Sequence, residues 1–187
     1  MLGSLSSSIF LSRRMSGGDV RAKGSGNAGA TNMARVYGWR AGALTLAGDI
    51  LKSTTAMLIG WLLLGDNGLC AAGIACITGH CFPVFHEFKG GKGVSVGAAV
   101  AMAVDWRVFL AVIVTFLLVS LLTKKVSLGS VSGSVAITVA AVLFGVSLPR
   151  LILSAVGMVL VIFQHRANLK RVIDGTEPDF KFGRAGQ

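Results

Sequence analysis

A basic, glycine-rich segment at residues 88–94 reads Phe-Lys-Gly-Gly-Lys-Gly-Val and stands between two apolar stretches of the chain. Lysine ammonium groups and glycine N–H groups at the start of a helix attract anions, because the helix dipole adds to their positive potential. The Gly-Lys-Ser/Thr ending of a Walker A loop is missing, so nucleoside triphosphate binding is not implied. The alternative is that the two lysines only follow the positive-inside rule at a helix junction, but this would not explain the three glycines. We interpret this segment as a phosphate-binding loop formed by Lys89, Gly90, Gly91, Lys92 and Gly93.

An earlier polar cluster at residues 24–35 combines three glycines with hydrogen-bonding side chains. Glycines let a backbone turn tightly against a ligand, and Arg35 can bind an oxyanion through two parallel N–H groups. The alternative is a flexible linker before a helix, with Asn32 near its cap. We favour a substrate site, whose candidate residues are Ser25, Asn27, Thr31, Asn32 and Arg35.

A third polar cluster, at residues 165–178, follows the last apolar segment. On a continuing helix His165, Asn168 and Val172 share one face, and Arg171 lies close to it. The alternative is a basic amphipathic helix lying on anionic lipid. A histidine and an asparagine suit contact with a substrate better than contact with lipid, so His165 and Asn168 are further candidate site residues.

The elements that position these clusters must be membrane helices. Of the 187 residues, 53% are hydrophobic and only 14% are charged, which is typical of a polytopic membrane protein and not of a soluble domain. We therefore predict an all-α membrane bundle in which residues 94–104 form a short helix, paired with the next span around residues 105–107. The predicted spans are Ala43–Leu64, Leu69–Phe85, Val108–Leu122, Leu128–Val146 and Leu151–Gln164.

The basic residues test this topology, since cytoplasmic loops carry an excess of Lys and Arg. One side of the membrane holds only Arg107 and Arg150. The other holds Arg13, Arg14, Arg21, Lys23, Arg35, Arg40, Lys89, Lys92, Lys124, Lys125, Arg166, Lys170, Arg171, Lys181 and Arg184. All three polar clusters are therefore expected on one side, the cytoplasmic one. Membrane orientation, anionic lipid and a phosphorylated substrate compete as explanations of the net charge of +10, and no nucleic acid is implied.

Some polar residues inside the apolar segments have simpler explanations. Asp49 and Lys52 are three residues apart, so we predict a salt bridge between them, with a place in the site as the alternative. Cys76 and His80 share a helical face, but no second pair of ligands has matching spacing, so no metal site is predicted. His80 is interpreted as a structural or interfacial hydrogen-bonding residue. The odd number of cysteines does not indicate a disulfide framework.

The three clusters, GSGNAGATNMAR, GHCFPVFHEFKGGKGV and HRANLKRVIDGTEP, resemble in order and spacing the bacterial acyl-phosphate:glycerol-3-phosphate acyltransferase family (PlsY). With the hydropathy profile, the resemblance covers essentially the whole chain. It implies transfer of a fatty acyl group from acyl phosphate to the 1-hydroxyl of glycerol 3-phosphate, giving lysophosphatidic acid and phosphate at the start of phospholipid synthesis. It also implies a multi-pass protein of the bacterial cytoplasmic membrane, with its active site facing the cytoplasm and no cofactor.

The resemblance also implies roles for single residues. It makes Ser25 and Arg35 essential, the glycines of the second cluster a phosphate-binding loop, His165 and Asn168 important for activity, and Glu177 structural. Because family members have about seven transmembrane helices, the resemblance implies that the first is truncated in this chain. We accordingly expect one domain over residues 1–187, with a helix remnant at 1–12, a cytoplasmic loop at 13–42 and a cytoplasmic tail at 165–187.

Several alternatives remain open at this point. His165 could act as general base on the glycerol hydroxyl, or the departing phosphate could accept that proton, and a covalent role for Ser25 is a third option. A small membrane transporter of an organic phosphate would share the basic, glycine-rich loops, although no internal repeat is visible. A non-catalytic membrane anchor would have little need for these polar side chains together.

Overall fold

The computed structural model describes residues 1–179, and within them the chain is helical throughout, with no strand. Short 3-10 turns occur at Leu2–Ser4, Val20–Ala22 and Val84–His86. The α-helices are α1 Ser7–Ser16, α2 Ala30–Tyr37, α3 Trp39–Cys81, α4 Val94–Val104, α5 Trp106–Thr123, α6 Val126–Leu143, α7 Leu148–Gln164 and α8 Arg166–Ile173. The predicted all-α fold is therefore confirmed.

Helix α3 is a hairpin of two antiparallel arms, because its backbone leaves the helical conformation at Leu64 and Gly65. Gly65 has φ of 58°, which suits a residue without a Cβ. The arms touch closely at Gly60 and Gly68, where a Cβ on either residue would overlap the backbone of the other. The arms correspond to the two predicted spans Ala43–Leu64 and Leu69–Phe85.

By length and composition, three helical segments of the described chain could cross a membrane: residues 39–86, α5 and α6. Helices α7 and α8 make a fourth when counted together, although they are bent by 55° from one another. The bend corrects the expectation that the last span continues straight through the third polar cluster. Helix α4 has 11 residues and packs on both α3 and α5, as expected for a short helix inside the bundle.

The outward faces of the bundle are apolar. Only Val108 and Ser120 of α5 are buried, and its exposed side chains include Leu110, Val114, Leu117, Leu118 and Leu121. A helix that exposes such side chains along its length needs lipid around it and not water. The buried core lies among α3, α4, α6, α7 and the start of α5, and contains Ile77, Val100, Val104, Val108 and Leu153.

The two ends of the bundle differ as the basic residues predict. At one end Arg150 donates to Asp66 Oδ1 at 2.8 Å and to Val104 O at 2.9 Å, which joins the three turns after residues 64, 104 and 143. At the other end Lys125 donates to the backbone oxygen of Glu177 at 2.7 Å. Lys181 and Arg184, counted above on that second end, lie outside the described residues.

The predicted salt bridge inside α3 is present, with Lys52 Nζ 3.0 Å from Asp49 Oδ1. The N-terminal segment covers this pair, since Ser7 donates to Asp49 at 3.0 Å and Leu5 O accepts from Lys52 at 2.6 Å. Helix α1 runs across the expected boundary between residues 12 and 13. Residues 1–16 are thus packed along α3 as one segment.

Candidate active site

One cavity of about 680 Å³ brings the three polar clusters together. Its polar end is formed by the loop before α2, the start of α4 and the junction of α7 with α8. Of the residues predicted from the sequence, it is lined by Ser25, Asn27, Thr31, Asn32, Arg35, Lys92, His165, Asn168 and Glu177. Segments that are more than a hundred residues apart therefore share one site.

The loop of the first cluster is built around the side chain of Asn32, which is buried. Its Oδ1 accepts from Ser25 N at 2.8 Å, and its Nδ2 donates to the oxygens of Lys23 and Asn27, each at 3.0 Å. Gly24 has φ of 60°, and a Cβ there would overlap Asn32 Oδ1. Asn32 thus shapes the loop, and its hydrogen-bonding groups are used within the protein.

Arg35 and Ser25 are exposed members of this cluster, as is Thr31. All three line the cavity, and within residues 1–179 the Arg35 guanidinium has neither an ion pair nor a hydrogen bond. A guanidinium that faces a cavity without an anionic partner is suited to bind an oxyanion of a ligand. Asn32 positions the backbone of Ser25 beside it.

The loop of the second cluster differs from the expectation for its glycines. The N–H groups of Gly90 and Gly91 donate to Cys81 O at 3.2 Å and His80 O at 3.1 Å, where they cap the end of α3. These amides are therefore not free for a ligand, and Gly90, Gly91 and Gly93 do not line the cavity. A Cβ on Gly91 would overlap the ring of His80, so the glycine permits close packing.

The two lysines of this loop have different surroundings. The side chain of Lys89 is 75% exposed, lies 3.6 Å from Glu87 and is outside the cavity. Lys92 is half-buried and faces the cavity at the N-terminal end of α4. Val94 and Ser95 of the first turn of α4 also line it, which places the positive end of that helix there.

A continuous chain of polar contacts links the second cluster to the third. Lys92 Nζ donates to Asn168 Oδ1 at 2.5 Å, and Asn168 Nδ2 donates to Glu177 Oε1 at 2.7 Å. Arg171 Nε donates to the second carboxylate oxygen of Glu177, also at 2.7 Å. Glu177 therefore fixes which way the Asn168 amide faces, and that amide holds the Lys92 ammonium.

Two pKa shifts follow from this arrangement. Burial lowers the pKa of Lys92, and the positive charges of Arg171 and Arg35 lower it further against the opposing charge of Glu177. Burial alone would raise the pKa of Glu177, but the Ser127 hydroxyl, hydrogen bonds from Asn168 and Arg171 and the charge of Arg171 outweigh it, so that pKa is lowered. Lys92, Arg35 and Arg171 thus concentrate positive charge that a phosphate dianion would relieve.

His165 lies at the bend between α7 and α8 and is only 3% exposed. Its Nδ1 is 2.8 Å from Val161 O, and a carbonyl oxygen can only accept, so Nδ1 carries the hydrogen. In the neutral ring Nε2 is then the unprotonated nitrogen, able to accept a hydrogen bond from a hydroxyl in the cavity.

The other end of the cavity is apolar and reaches down between the helices. It is lined by side chains of α3, α5, α6 and α7, among them Ile50, Phe109, Val112, Phe116, Ile137 and Val161. Such a surface suits a hydrocarbon chain. A ligand with a phosphate and an acyl chain would match both ends of the cavity.

Several lining residues were not among the predicted site residues, and they include His80, Ser95, Gln164 and Arg171. Arg171 stands in the basic run of the third cluster, so its charge was visible in the sequence but matched lipid contact equally well. His80 was assigned a structural role because nothing in the sequence shows that α3 ends at the cavity. No group of three His, Cys, Asp or Glu side chains that could hold a metal was found in residues 1–179, and the three cysteines are buried and free.

This fold and this site define a class: helical membrane proteins in which a cationic pocket opens into an apolar groove, as handling a phosphorylated lipid requires. Comparison with known proteins gives the family. A family model described as glycerol-3-phosphate acyltransferase matches residues 1–175, and the chain belongs to that family. The transporter and anchor alternatives are thereby set aside.

The relatives are similar over nearly their whole length. The glycerol-3-phosphate acyltransferase of Thermoanaerobacter pseudethanolicus is 42% identical over 177 residues, which are 95% of this chain and 89% of that protein. The Bacillus subtilis protein of the same name is 38% identical over 182 residues, covering 97% and 94%. The match thus extends over all three polar clusters.

Solved structures of the same family have the same fold as this chain. The crystal structure of PlsY, an integral membrane glycerol 3-phosphate acyltransferase, in its glycerol 3-phosphate form has a TM-score of 0.91 to this chain at 34% identity. It covers 96% of this chain and 90% of the other. The lysophosphatidic acid form has a TM-score of 0.89 at 33% identity and the same coverage. The resemblance noted in the sequence is confirmed.

Proposed function

We propose that this chain transfers a fatty acyl group from acyl phosphate to the 1-hydroxyl of glycerol 3-phosphate, in the bacterial cytoplasmic membrane and at a site open to the cytoplasm. The observation that carries the proposal is a single cavity with a cationic end at Arg35, Lys92 and Arg171 and an apolar end between the helices. Both substrates carry a phosphate, and only one carries an acyl chain. The side assignment rests on the basic residues gathered at the end of the bundle where this cavity has its polar part.

The cationic end binds the phosphate groups. Lys92, the first turn of α4 and Arg35 supply positive charge and N–H donors, while Asn168 and Glu177 hold the ammonium in place. The apolar end takes the acyl chain from the membrane. Together they orient the acyl carbonyl against the glycerol 1-hydroxyl. Because the acyl donor is already activated, such positioning is the main contribution required from the enzyme.

In the reaction the glycerol 1-oxygen attacks the acyl carbon, a new ester bond forms, and the bond from that carbon to the bridging phosphate oxygen breaks. The hydroxyl proton leaves and the departing phosphate ends as the protonated inorganic ion. His165 Nε2 accepts the hydrogen bond of the 1-hydroxyl, because its Nδ1–H is held by Val161 O. It takes the proton during attack and returns it to the phosphate. Arg35 and Lys92 stabilise the charge on the leaving group.

Purified protein in detergent tests this directly. Palmitoyl phosphate with labelled glycerol 3-phosphate is expected to give lysophosphatidic acid, and palmitoyl-CoA is expected to give none. Arg35→Ala should remove the product, whereas Arg40→Ala, in the first turn of α3 and outside the cavity, should retain it. Product from the CoA ester at an equal rate would overturn the donor assignment, and no product from either donor would overturn the reaction.

A further inference from the structure

A buried histidine in the last turn of α3, His80, touches the polar end of the cavity. The residue is 5% exposed and lines the same cavity as Lys92 and Arg35. It lies in neither the first nor the third polar cluster, and the reaction described above gives it no role. Its surroundings nevertheless determine which of its ring nitrogens can meet a ligand.

The Nδ1 side of the ring faces the buried ion pair of α3. Lys52 Nζ is 3.2 Å from His80 Nδ1 and 3.0 Å from Asp49 Oδ1. An ammonium group has hydrogens to donate and no lone pair, so His80 Nδ1 must be the acceptor. The ring is therefore neutral with its hydrogen on Nε2, because a hydrogen on Nδ1 would point at the ammonium.

The Nε2 side of the ring faces Gly91 and the cavity. A Cβ on Gly91 would overlap Nε2, so the glycine leaves this nitrogen uncovered at the point where the loop turns toward Lys92. Nε2 has no hydrogen-bond partner in the described part of the chain. Nε2 nevertheless keeps some accessible surface, since it is not one of the fully buried polar atoms that lack a partner there. An N–H donor thus opens onto the cavity beside the cationic groups.

We propose that His80 is a further substrate-binding residue, whose Nε2–H donates a hydrogen bond to a phosphate oxygen in the cavity. Lys52 and Asp49 are the positioning residues that hold the ring in this tautomer. The phosphate belongs to glycerol 3-phosphate or to the acyl donor, and in that respect the inference rests on the proposed function. A neutral donor at this point adds a directed bond without adding to the repulsion among Lys92, Arg35 and Arg171.

Nitrogen NMR of the protein with ¹⁵N-labelled histidine tests the geometry without any turnover. His80 is assigned by the signals lost in His80→Gln. Its ring is expected in the Nε2–H form, and the Nε2–H signal should move in a saturable way with glycerol 3-phosphate or with palmitoyl phosphate, and not with glycerol. Inorganic phosphate and palmitoyl phosphate, each added alone, show which substrate's phosphate is bound. An Nδ1–H tautomer, or no movement with any of the three phosphates, would overturn the proposal.

Kinetics of the full-length enzyme give the second test. A glutamine amide can place its N–H₂ near the position of Nε2, so His80→Gln should keep kcat/KM within about threefold, whereas His80→Phe should lower it about ten- to a hundredfold. The loss should appear mainly in KM for the substrate whose phosphate moves the NMR signal. His86→Gln, a histidine outside the cavity, should leave kcat/KM unchanged.

The Lys52→Met variant tests the positioning of the His80 ring separately from the contact that His80 makes with phosphate. Without the ammonium, the Nδ1–H form should appear in the spectrum and kcat/KM should fall, while His80→Gln in the same background should cause no further loss. If His80→Phe folds and is as active as the wild type, the proposal is wrong. If the wild type binds glycerol 3-phosphate through His80 but transfers no acyl group, the proposed reaction fails and this inference stands.

Discussion

The Lys92 ammonium lies 2.5 Å from Asn168 Oδ1, so the loop after α3 and helix α8 meet at one hydrogen bond across 76 positions of sequence. The Asn168 amide is turned by Glu177, which accepts from its nitrogen. A phosphate that binds Lys92 therefore meets a cation whose position depends on a residue of the third cluster. This contact explains why a loop lysine and a C-terminal glutamate belong to the same site.

The first prediction concerns the two lysines of that loop. Lys92→Met should lower kcat/KM for glycerol 3-phosphate about a hundredfold or more, since a charge-assisted contact to phosphate is lost and Asn168 is left without its donor. Lys89→Met should lower it less than threefold, because that ammonium is exposed and outside the cavity. Initial rates at varied glycerol 3-phosphate measure both. Equal losses in the two variants would show that the loop adopts another arrangement when substrate is bound.

The second prediction uses the packing of the loop. Gly91→Ala should lose most activity, because the added methyl group overlaps the His80 ring and its nearest other neighbour is Ala28 O at 3.0 Å. Gly18→Ala is the matched control, since its nearest atom would be Ser16 Oγ at 3.8 Å. Acyl transfer and the unfolding temperature of both variants are the measurements. Full activity in Gly91→Ala would mean that the loop and the end of α3 are further apart than described.

Much of this fold could be predicted from the sequence, because the membrane restricts the length and polarity of each helix. A membrane span must be long and apolar, and the observed ends of α5 and α7 lie within three residues of the predicted ends. The end-to-end charge asymmetry likewise separates the turn near Arg150 from the loop near Lys125. These features depend on the bilayer, which imposes the same length and polarity on every span.

The parts that could not be predicted depend on contacts between distant segments. Glycines in a basic loop indicate free amides, yet Gly90 and Gly91 use theirs to cap α3, and only the end position of that helix shows this. Asn32 was expected to bind the substrate, but its side chain forms hydrogen bonds with the backbone of its own loop. The bend at His165 was also hidden, since the sequence around it favours an uninterrupted helix.

The third prediction concerns the end of the bundle away from the site. Arg150→Met should lower the free energy of unfolding by about 1–3 kcal/mol, since the bonds to Asp66 and to Val104 O are both lost. The KM for glycerol 3-phosphate should not change. Arg107→Met is the control, because within residues 1–179 Arg107 forms its ion pair with the nearby Asp105 and lies over the Phe144 ring at the surface, and it bonds no backbone oxygen of another helix. It should shift the unfolding temperature less. A raised KM in Arg150→Met would link the two ends.

The fourth prediction is an acid limit set by Glu177. Its pKa is lowered in the folded protein, so its ionised form stabilises the fold above the pKa of the unfolded chain, and this contribution is lost as the pH falls through the folded-state pKa. Protonation weakens the bonds from Asn168 and Arg171, which frees Lys92. Unfolding temperature and kcat/KM should therefore fall together on the acid side.

Glu177→Gln isolates that contribution, because the amide keeps the shape of the side chain and removes its charge. At neutral pH this variant should unfold at a lower temperature than the wild type, and its unfolding temperature should change less between neutral and acid pH. Glu87→Gln should keep the acid slope of the wild type, since the Glu87 side chain is 77% exposed and pairs only with Lys89 in residues 1–179. If the Glu177 variant loses stability in acid as steeply as the wild type, another carboxylate sets the limit, and the contacts of Asn168 and Arg171 with Glu177 contribute little to the stability of the site.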